Sequence, residues 1–237
     1  MTLEGIRRVS TLLMAIVSHA PGMTAACNSP ESSQITVRVL DLVQIQSETL
    51  DRTKQVTEEV FGPLGVKITW RHCSAGQSRE DQACSAPTGL NDISLRIFQR
   101  GKARLNGMRH WTAGMAVPLT PEGGRGIIYV FLDRVVAVAE SYRVPLELAL
   151  GITVAHEIGH LLLLGEPHAL AGIMRAKLSR DDWRLAGQGH LGFTTARGRS
   201  SGLASRREVR GRLKVQTNAF ASFPFPTTNY SIQIGLR

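Results

Sequence analysis

The sequence contains no run of eighteen or more apolar residues, the length that a helix needs to cross a bilayer, so no membrane-spanning segment is predicted in the mature chain. Aromatic residues are scarce, at 5% of 237 residues. Motifs that read bases are also missing, which argues against nucleic acid as a partner. With 43% apolar and 20% charged residues, the composition is that of a globular protein. It excludes a disordered chain, a coiled coil and a collagen-like repeat.

Acidic residues are nearly absent from the carboxyl-terminal part of the chain. Residues 191–237 hold 8 Lys and Arg against 1 Glu, whereas residues 1–190 hold 20 against 18, so most of the formal charge of +9 lies in the last fifth. The segment 194–237 is also rich in Arg, Gly and Ser and poor in apolar residues. This composition predicts a basic, flexible carboxyl-terminal extension.

The amino terminus has the pattern of an export signal. Arg7 and Arg8 precede the apolar stretch 9–17, and small residues stand directly before Cys27. The pattern predicts a signal peptide over residues 1–26, an exported protein and a folded domain over residues 27–193. Cys27 also fits the lipid-modified cysteine of a bacterial lipoprotein, which would attach the chain peripherally to a membrane. The alternative is a short amino-terminal helix packed on the domain.

The two other cysteines flank a polar loop. Cys73 and Cys84 enclose ten residues that offer no metal ligand other than acids. In an exported protein this arrangement predicts a disulfide bond that closes the loop. The alternative is a pair of free thiols in a reducing cytosol.

Hydrophobic patterning predicts an α/β (α+β) fold built on a mixed, twisted sheet. Strands are predicted at residues 34–42, 65–70, 92–98 and 126–132, with a short edge strand at 115–117, and helices at 47–61, 133–142, 146–164 and from 179 onward. The order strand, helix, strand, strand places a backing helix on one face of the sheet. The helix over 146–164 is apolar on nearly every side, which predicts a position at the domain centre.

This central helix carries three polar residues that need a reason to be buried: His156, Glu157 and His160. Two histidines four positions apart lie on one face of a helix, about 6 Å apart along its axis, so both imidazoles can reach one ion. Zinc accepts neutral imidazole, and Glu157 is placed to act as a general base on a zinc-activated water. The pentapeptide therefore predicts a Zn²⁺ site in an H-E-x-x-H motif. The alternative is a pair of core histidines with a buried ion pair.

Two residues after the helix are candidates for the third metal ligand. Glu166 and His168 both follow the predicted helix stop at Gly165. His168 is favoured because imidazole is the commoner zinc ligand and because Pro167 restricts Glu166 to an extended backbone. Glu166 remains the alternative.

The motif and the residues after it resemble the metzincin clan of zinc endopeptidases. Residues 156–160 read H-E-I-G-H, a Gly-x-x-His unit ends at His168, and residues 172–174 read G-I-M. The resemblance implies a zincin-like fold with a small carboxyl-terminal subdomain after a methionine turn. It also implies His156, His160 and His168 as ligands, Glu157 as general base, and Met174 at the base of the metal pocket. In this clan an edge strand over the cleft pairs with the substrate backbone.

The chain departs from the clan pattern in two places. Four leucines instead of two residues separate His160 from Gly165, so His168 lies twelve positions after His156 instead of ten, and Glu166 occupies the usual offset. This longer spacing resembles a group of bacterial exported proteins. The tyrosine that some metzincins carry two residues after the methionine is replaced by Ala176.

Taken together, these features predict a zinc metallopeptidase, an endopeptidase that hydrolyses peptide or protein substrates with Glu157 as catalytic base. A monomer is expected. The alternative from another functional class is a zinc-containing module that binds peptides or envelope polymers without cutting them.

Overall fold

In a computed structural model, the chain is described over residues 33–73, 84, 89–99, 112–119, 125–163, 168–194 and 230–233. These residues belong to one unit, Ser32–Arg237. The predicted signal peptide, Cys27 and Glu166 lie outside the described residues. In chain order, the elements are β1 (Ser33–Asp41), α1 (Ser47–Phe61), β2 (Val66–Cys73), β3 (Asp92–Phe98), β4 (Thr112–Pro118), β5 (Gly126–Phe131), α2 (Leu132–Tyr142), α3 (Leu146–Leu162), α4 (Arg180–Gly187) and β6 (Tyr230–Gln233).

Within the described residues, the strands form a six-stranded mixed sheet in the order β2-β1-β3-β5-β4-β6. The first four strands in this order are parallel to one another. β4 runs antiparallel to β5, and β6 runs antiparallel to β4. The predicted α/β class with a mixed sheet is therefore confirmed, and the antiparallel strands are confined to one end of the sheet.

Alternation of apolar and polar residues determines which face of the sheet is buried. In β1, Ile35, Val37 and Val39 are fully buried, while the two residues between them are partly exposed. β3 repeats the pattern with three buried aliphatic residues at every second position. Because successive strand residues point to opposite faces, this period of two buries one face of these strands under the helices.

α3 is the central helix of the domain, and every residue from Ala149 to Leu162 is buried. α1 packs closely on it at Gly151, where an added Cβ would stand 2.6 Å from the Cβ of Val56. Thr57 Oγ1 also donates a hydrogen bond to the Gly151 carbonyl at 3.2 Å. The helix ends at Leu162, two residues before the predicted end. Neither α3 nor any other helix in the described part of the chain combines the length and apolar character needed to cross a membrane.

The structure corrects the prediction for the antiparallel end of the sheet. β4 was expected to be a short edge strand, yet it spans seven residues and is flanked on both sides by β5 and β6. β6 lies inside the segment 194–237, which was expected to be a flexible extension. Four residues are too few for their apolar–polar alternation to distinguish a strand from a polar tail, and the strand they pair with is distant in the sequence. No prediction placed a strand at residues 230–233.

Two local predictions are confirmed. A disulfide bond joins Cys73, at the end of β2, to Cys84, with Cα atoms 5.8 Å apart. α4 begins with a capping box, in which the Ser179 side chain accepts from the Asp182 backbone and the Asp182 carboxylate accepts from the Ser179 backbone. The disulfide closes the loop 74–83, which lies outside the described residues.

Candidate metal centre

Two histidines on the last turns of α3 face each other. The Nε2 atoms of His156 and His160 are 2.9 Å apart, and the ring centroids are 4.6 Å apart. Both side chains are buried, with 0% and 2% of their surface exposed. Their spacing of four residues, a little more than one helical turn, produces this arrangement.

His168, from the segment after α3, completes a cluster of three imidazoles. Its ring centroid lies 5.4 Å from that of His156 and 4.8 Å from that of His160. Candidate ligand atoms of the three residues lie within 4.8 Å of one another. The buried His168 Nε2 makes no hydrogen bond to any of the described residues. The three histidines therefore lie close enough to bind one metal ion.

The backbone around Met174 orients the first histidine. Nδ1 of His156 lies 2.7 Å from the Ile173 carbonyl oxygen. A carbonyl only accepts hydrogen bonds, so Nδ1 carries the proton and the lone pair of Nε2 is directed into the cluster. The Ala169 N–H donates to the Met174 carbonyl at 2.8 Å, which links the segment carrying His168 to the same stretch. The hydrogen bond from His156 Nδ1 to Ile173 is of the kind that usually orients a metal-binding histidine, because it is made by the ring nitrogen that does not bind the metal.

Met174 lies beneath α3 at Gly159. The methionine is 3% exposed, and its Sδ lies only 2.6 Å from the position that a Cβ at Gly159 would occupy. Phe193 Cε1 is 2.8 Å from the same position. Only glycine leaves this space free, so the second variable position of the H-E-x-x-H motif lets the Met174 segment pack directly against the helix.

Glu157 is fully buried and packs against β4. Its Oε1 lies 2.7 Å from the position that a Cβ at Gly114 would occupy, and its Cγ and Cδ are nearly as close. The absence of a side chain at Gly114 therefore makes room for the glutamate. Because Glu157 follows His156 on the helix, it projects about 100° around the axis from that ligand.

Burial keeps the three imidazoles neutral. Burial lowers the pKa of His156 to about 3, and the charge of His168 adds to this effect, while the hydrogen bond to Ile173 opposes it. Burial, with the charges of His156 and His168, also holds the pKa of His160 well below its usual range. The pKa of His168 is lowered by burial as well. At neutral pH each ring therefore keeps a lone pair available for a cation.

The donor set fits a divalent transition metal. Tetrahedral ligands about 2.0–2.1 Å from zinc are separated by about 3.3 Å, close to the 2.9 Å between the two Nε2 atoms. Imidazole also suits copper, nickel and iron, so the geometry defines a class of metal and not one element. Three protein ligands are the number that leaves a position open for water or substrate.

All three predicted histidines are brought together, and the structure adds positioning groups that the sequence did not indicate. These are the Ile173 carbonyl, Gly114 and Phe193. A backbone carbonyl leaves no trace in a residue pattern, and Gly114 stands in a glycine-rich stretch where no single glycine was distinctive. Glu166, the alternative ligand, lies outside the described residues.

A comparison of the chain with known protein families found no match, and no curated protein was found to resemble it significantly. What the chain does is therefore inferred from the histidine cluster and the groups around it. The cluster, the buried Glu157 and the adjacent strand β4 are the features on which that inference depends.

Proposed function

We propose that the chain is an exported, zinc-dependent endopeptidase of the metzincin type. The observation that carries the proposal is the convergence of His156, His160 and His168, with candidate ligand atoms within 4.8 Å of one another. A buried carboxylate, Glu157, directly follows the first of these histidines. Neutral nitrogen donors with an adjacent general base are the parts that metal-assisted hydrolysis of a peptide bond requires.

The histidines would hold the metal, and Glu157 would move the proton. Zinc, when bound, lowers the pKa of water at the site toward 7 and polarises a peptide carbonyl. Glu157 accepts a proton from the attacking water and delivers it to the leaving amine. The bond from His156 to the Ile173 carbonyl holds that ligand in one tautomer. Gly114 leaves the glutamate the space it occupies.

The finer fold assignment is part of the same proposal. A zincin-like domain needs an active-site helix, a supporting sheet and a turn beneath the metal, and α3, the mixed sheet and the Met174 segment are suited to these roles. The packing of Met174 Sδ against Gly159 supports a methionine turn. α4 would then belong to the small carboxyl-terminal subdomain.

Export is supported by the disulfide between Cys73 and Cys84, since such bonds persist in oxidising compartments. The signal peptide, the attachment through Cys27 and the monomeric state stay predictions from the sequence.

The proposal is tested by incubating the zinc-loaded chain with a mixed peptide library, with and without a chelator. Cleavage should be chelator-sensitive, and Glu157→Gln should lower it by at least about 100-fold because no base remains to accept the proton. Metal content of that variant should stay near one ion per chain. Glu147→Gln, the same change in the first turn of α3, is the matched control and should cleave like the wild type. Full activity in Glu157→Gln would remove this residue from the mechanism.

The second candidate is a zinc-containing module that binds peptides or envelope polymers without cutting them. Two features favour it: the spacing before His168 is longer than in the clan pattern, and Ala176 replaces a tyrosine that some metzincins carry. Chelator-sensitive binding of peptides that remain intact would support this candidate and contradict the peptidase.

A further inference from the structure

β4 is the strand of the sheet that lies next to the proposed catalytic base. One of its residues, Gly114, contacts the Glu157 carboxylate, and α3 packs against the strand. One edge of β4 pairs with β5, so its other edge is the place where an extended chain can add to the sheet beside the site. In the described structure this edge holds β6.

β6 pairs with the part of β4 that contains Gly114, the residue that contacts Glu157. The two strands are antiparallel, with Ala116 opposite Tyr230, Met115 opposite Ser231 and Thr112 opposite Gln233. The ladder is irregular between Thr112 and Met115, and Gly114 lies in this interval. β6 also lies against α3, the helix that carries the histidines. The backbone of residues 230–233 therefore pairs with the strand that contacts Glu157 and lies against the helix that carries Glu157.

The length and sequence of β6 suit a strand that another extended peptide can replace along β4. Residues 119–229 separate β6 from β4, so no tight turn joins these two strands. Residues 230–234 read Y-S-I-Q-I, the alternation of a strand that any half-buried edge accepts. A strand of four residues makes few ladder hydrogen bonds, each contributing about 0.5–1.5 kcal/mol net. Another extended peptide offers β4 the same backbone groups.

We propose that Tyr230–Gln233 is a built-in competitor for the peptide-binding edge of β4, so that the carboxyl-terminal segment lowers the activity of the site until a substrate displaces it. The regulatory part of this inference rests on the proposed peptidase function. The occupancy of β4 by an exchangeable strand does not depend on catalysis and is tested separately.

The test uses the full chain with Glu157→Gln in every sample, so that a peptide probe stays intact. The probe is a fluorescent peptide with the sequence of residues 228–237. Ser231→Pro together with Ile232→Pro removes backbone N–H donors of both orientations from β6. Ser231→Ala with Ile232→Val keeps them and is the matched control. The proline variant should bind the probe at least tenfold more tightly than the control, as measured by fluorescence anisotropy.

A second measurement needs no change in β6. Amide hydrogen exchange of the chain carrying native β6 is followed while unlabelled peptide 228–237 is added. Exchange at residues 231–233 should accelerate as the peptide replaces β6, whereas residues 126–131 of β5 should not change. Two results together would overturn the proposal: the proline variant loses its thermal unfolding transition, and the amides of β6 stay protected from exchange at saturating peptide. They would show that β6 is a permanent strand of the sheet.

Activity then separates the two proposals. With native Glu157, the proline variant should cleave library peptides with a several-fold higher kcat/KM than the control. Tighter probe binding without any cleavage would contradict the peptidase and leave the exchangeable strand intact. Cleavage that is equal in all variants, with equal probe binding, would contradict the competitor and leave the peptidase intact.

Discussion

At the scale of single residues, burial determines the chemistry of the histidines. His156 is fully enclosed and donates to the Ile173 carbonyl, so it folds as a neutral ring with one lone pair directed at its neighbours. Three neighbouring imidazoles would not stabilise a core better than aliphatic side chains, because aliphatic side chains fill the same space without needing polar partners. A common ligand for the three nitrogens is the simplest physical reason for the arrangement.

The same burial predicts how the metal-free protein responds to acid. The pKa of His156 is about 3 in the folded chain and about 6.5 in an unfolded one, so only the unfolded chain takes up this proton between these values. Stability is therefore full above pH 6.5 and is lost as the pH falls. His156 alone should lower the free energy of unfolding by about 1.4 kcal/mol per pH unit below 6.5. Urea unfolding of chelated protein at pH 7.5, 6 and 5 measures this.

The control is His156→Gln, which keeps an N–H donor for Ile173 but cannot titrate in this range. Its stability should fall less steeply between pH 6.5 and 5. Equal unfolding midpoints of the metal-free wild type at pH 7.5 and pH 5 would contradict the neutral, buried state of the cluster.

Much of this residue-scale site was predictable from the sequence. Spacing alone placed His156 and His160 on one helical face, and the Gly-x-x-His unit indicated His168. The partner of His156 was not predictable, because a main-chain carbonyl can belong to any residue. The contact between Gly114 and Glu157 joins positions 43 residues apart, which only the folded chain brings together.

At the scale of elements, the site depends on close packing between α3 and the segments below it. Gly159 has no side chain because Met174 and Phe193 occupy that space. Helix periodicity predicted α3 and its buried character but not this contact. The predicted end of the helix was two residues late, since the run of leucines continues past the last helical residue, Leu162.

Gly159→Ala is expected to destabilise the protein despite the better helix propensity of alanine. The methyl group would overlap Met174 and Phe193, and overpacking costs about 1–3 kcal/mol, against about 1 kcal/mol gained in propensity. Met174→Ala opens space at the same point. The double variant should therefore lose less stability than the sum of the losses in the two single variants. Urea unfolding should give a coupling free energy of about 1 kcal/mol or more. Strict additivity would contradict the packing of Met174 under the helix.

At the scale of the whole molecule, the strand order pairs β6, the last described strand, with β4, which lies more than a hundred residues earlier in the sequence. The parallel strands form one end of the sheet, and β4 and β6 form the antiparallel end next to Glu157. Local patterns predicted the class of fold and most of the strands. They did not predict that residues 230–233 join β4, because pairing over more than a hundred residues depends on which edge remains open after the rest has folded. The basic composition of the segment 194–237 also predicted a flexible extension, so no strand was expected within it.

The most direct test of the account is the position of the ion in crystals of the full chain grown with one equivalent of zinc. Diffraction data collected above and below the zinc absorption edge locate the metal independently of any assumption about its ligands. One anomalous peak per chain is expected, about 2.0–2.1 Å from nitrogen atoms of His156, His160 and His168. No peak between these rings, or an ion that His168 does not contact, would contradict it.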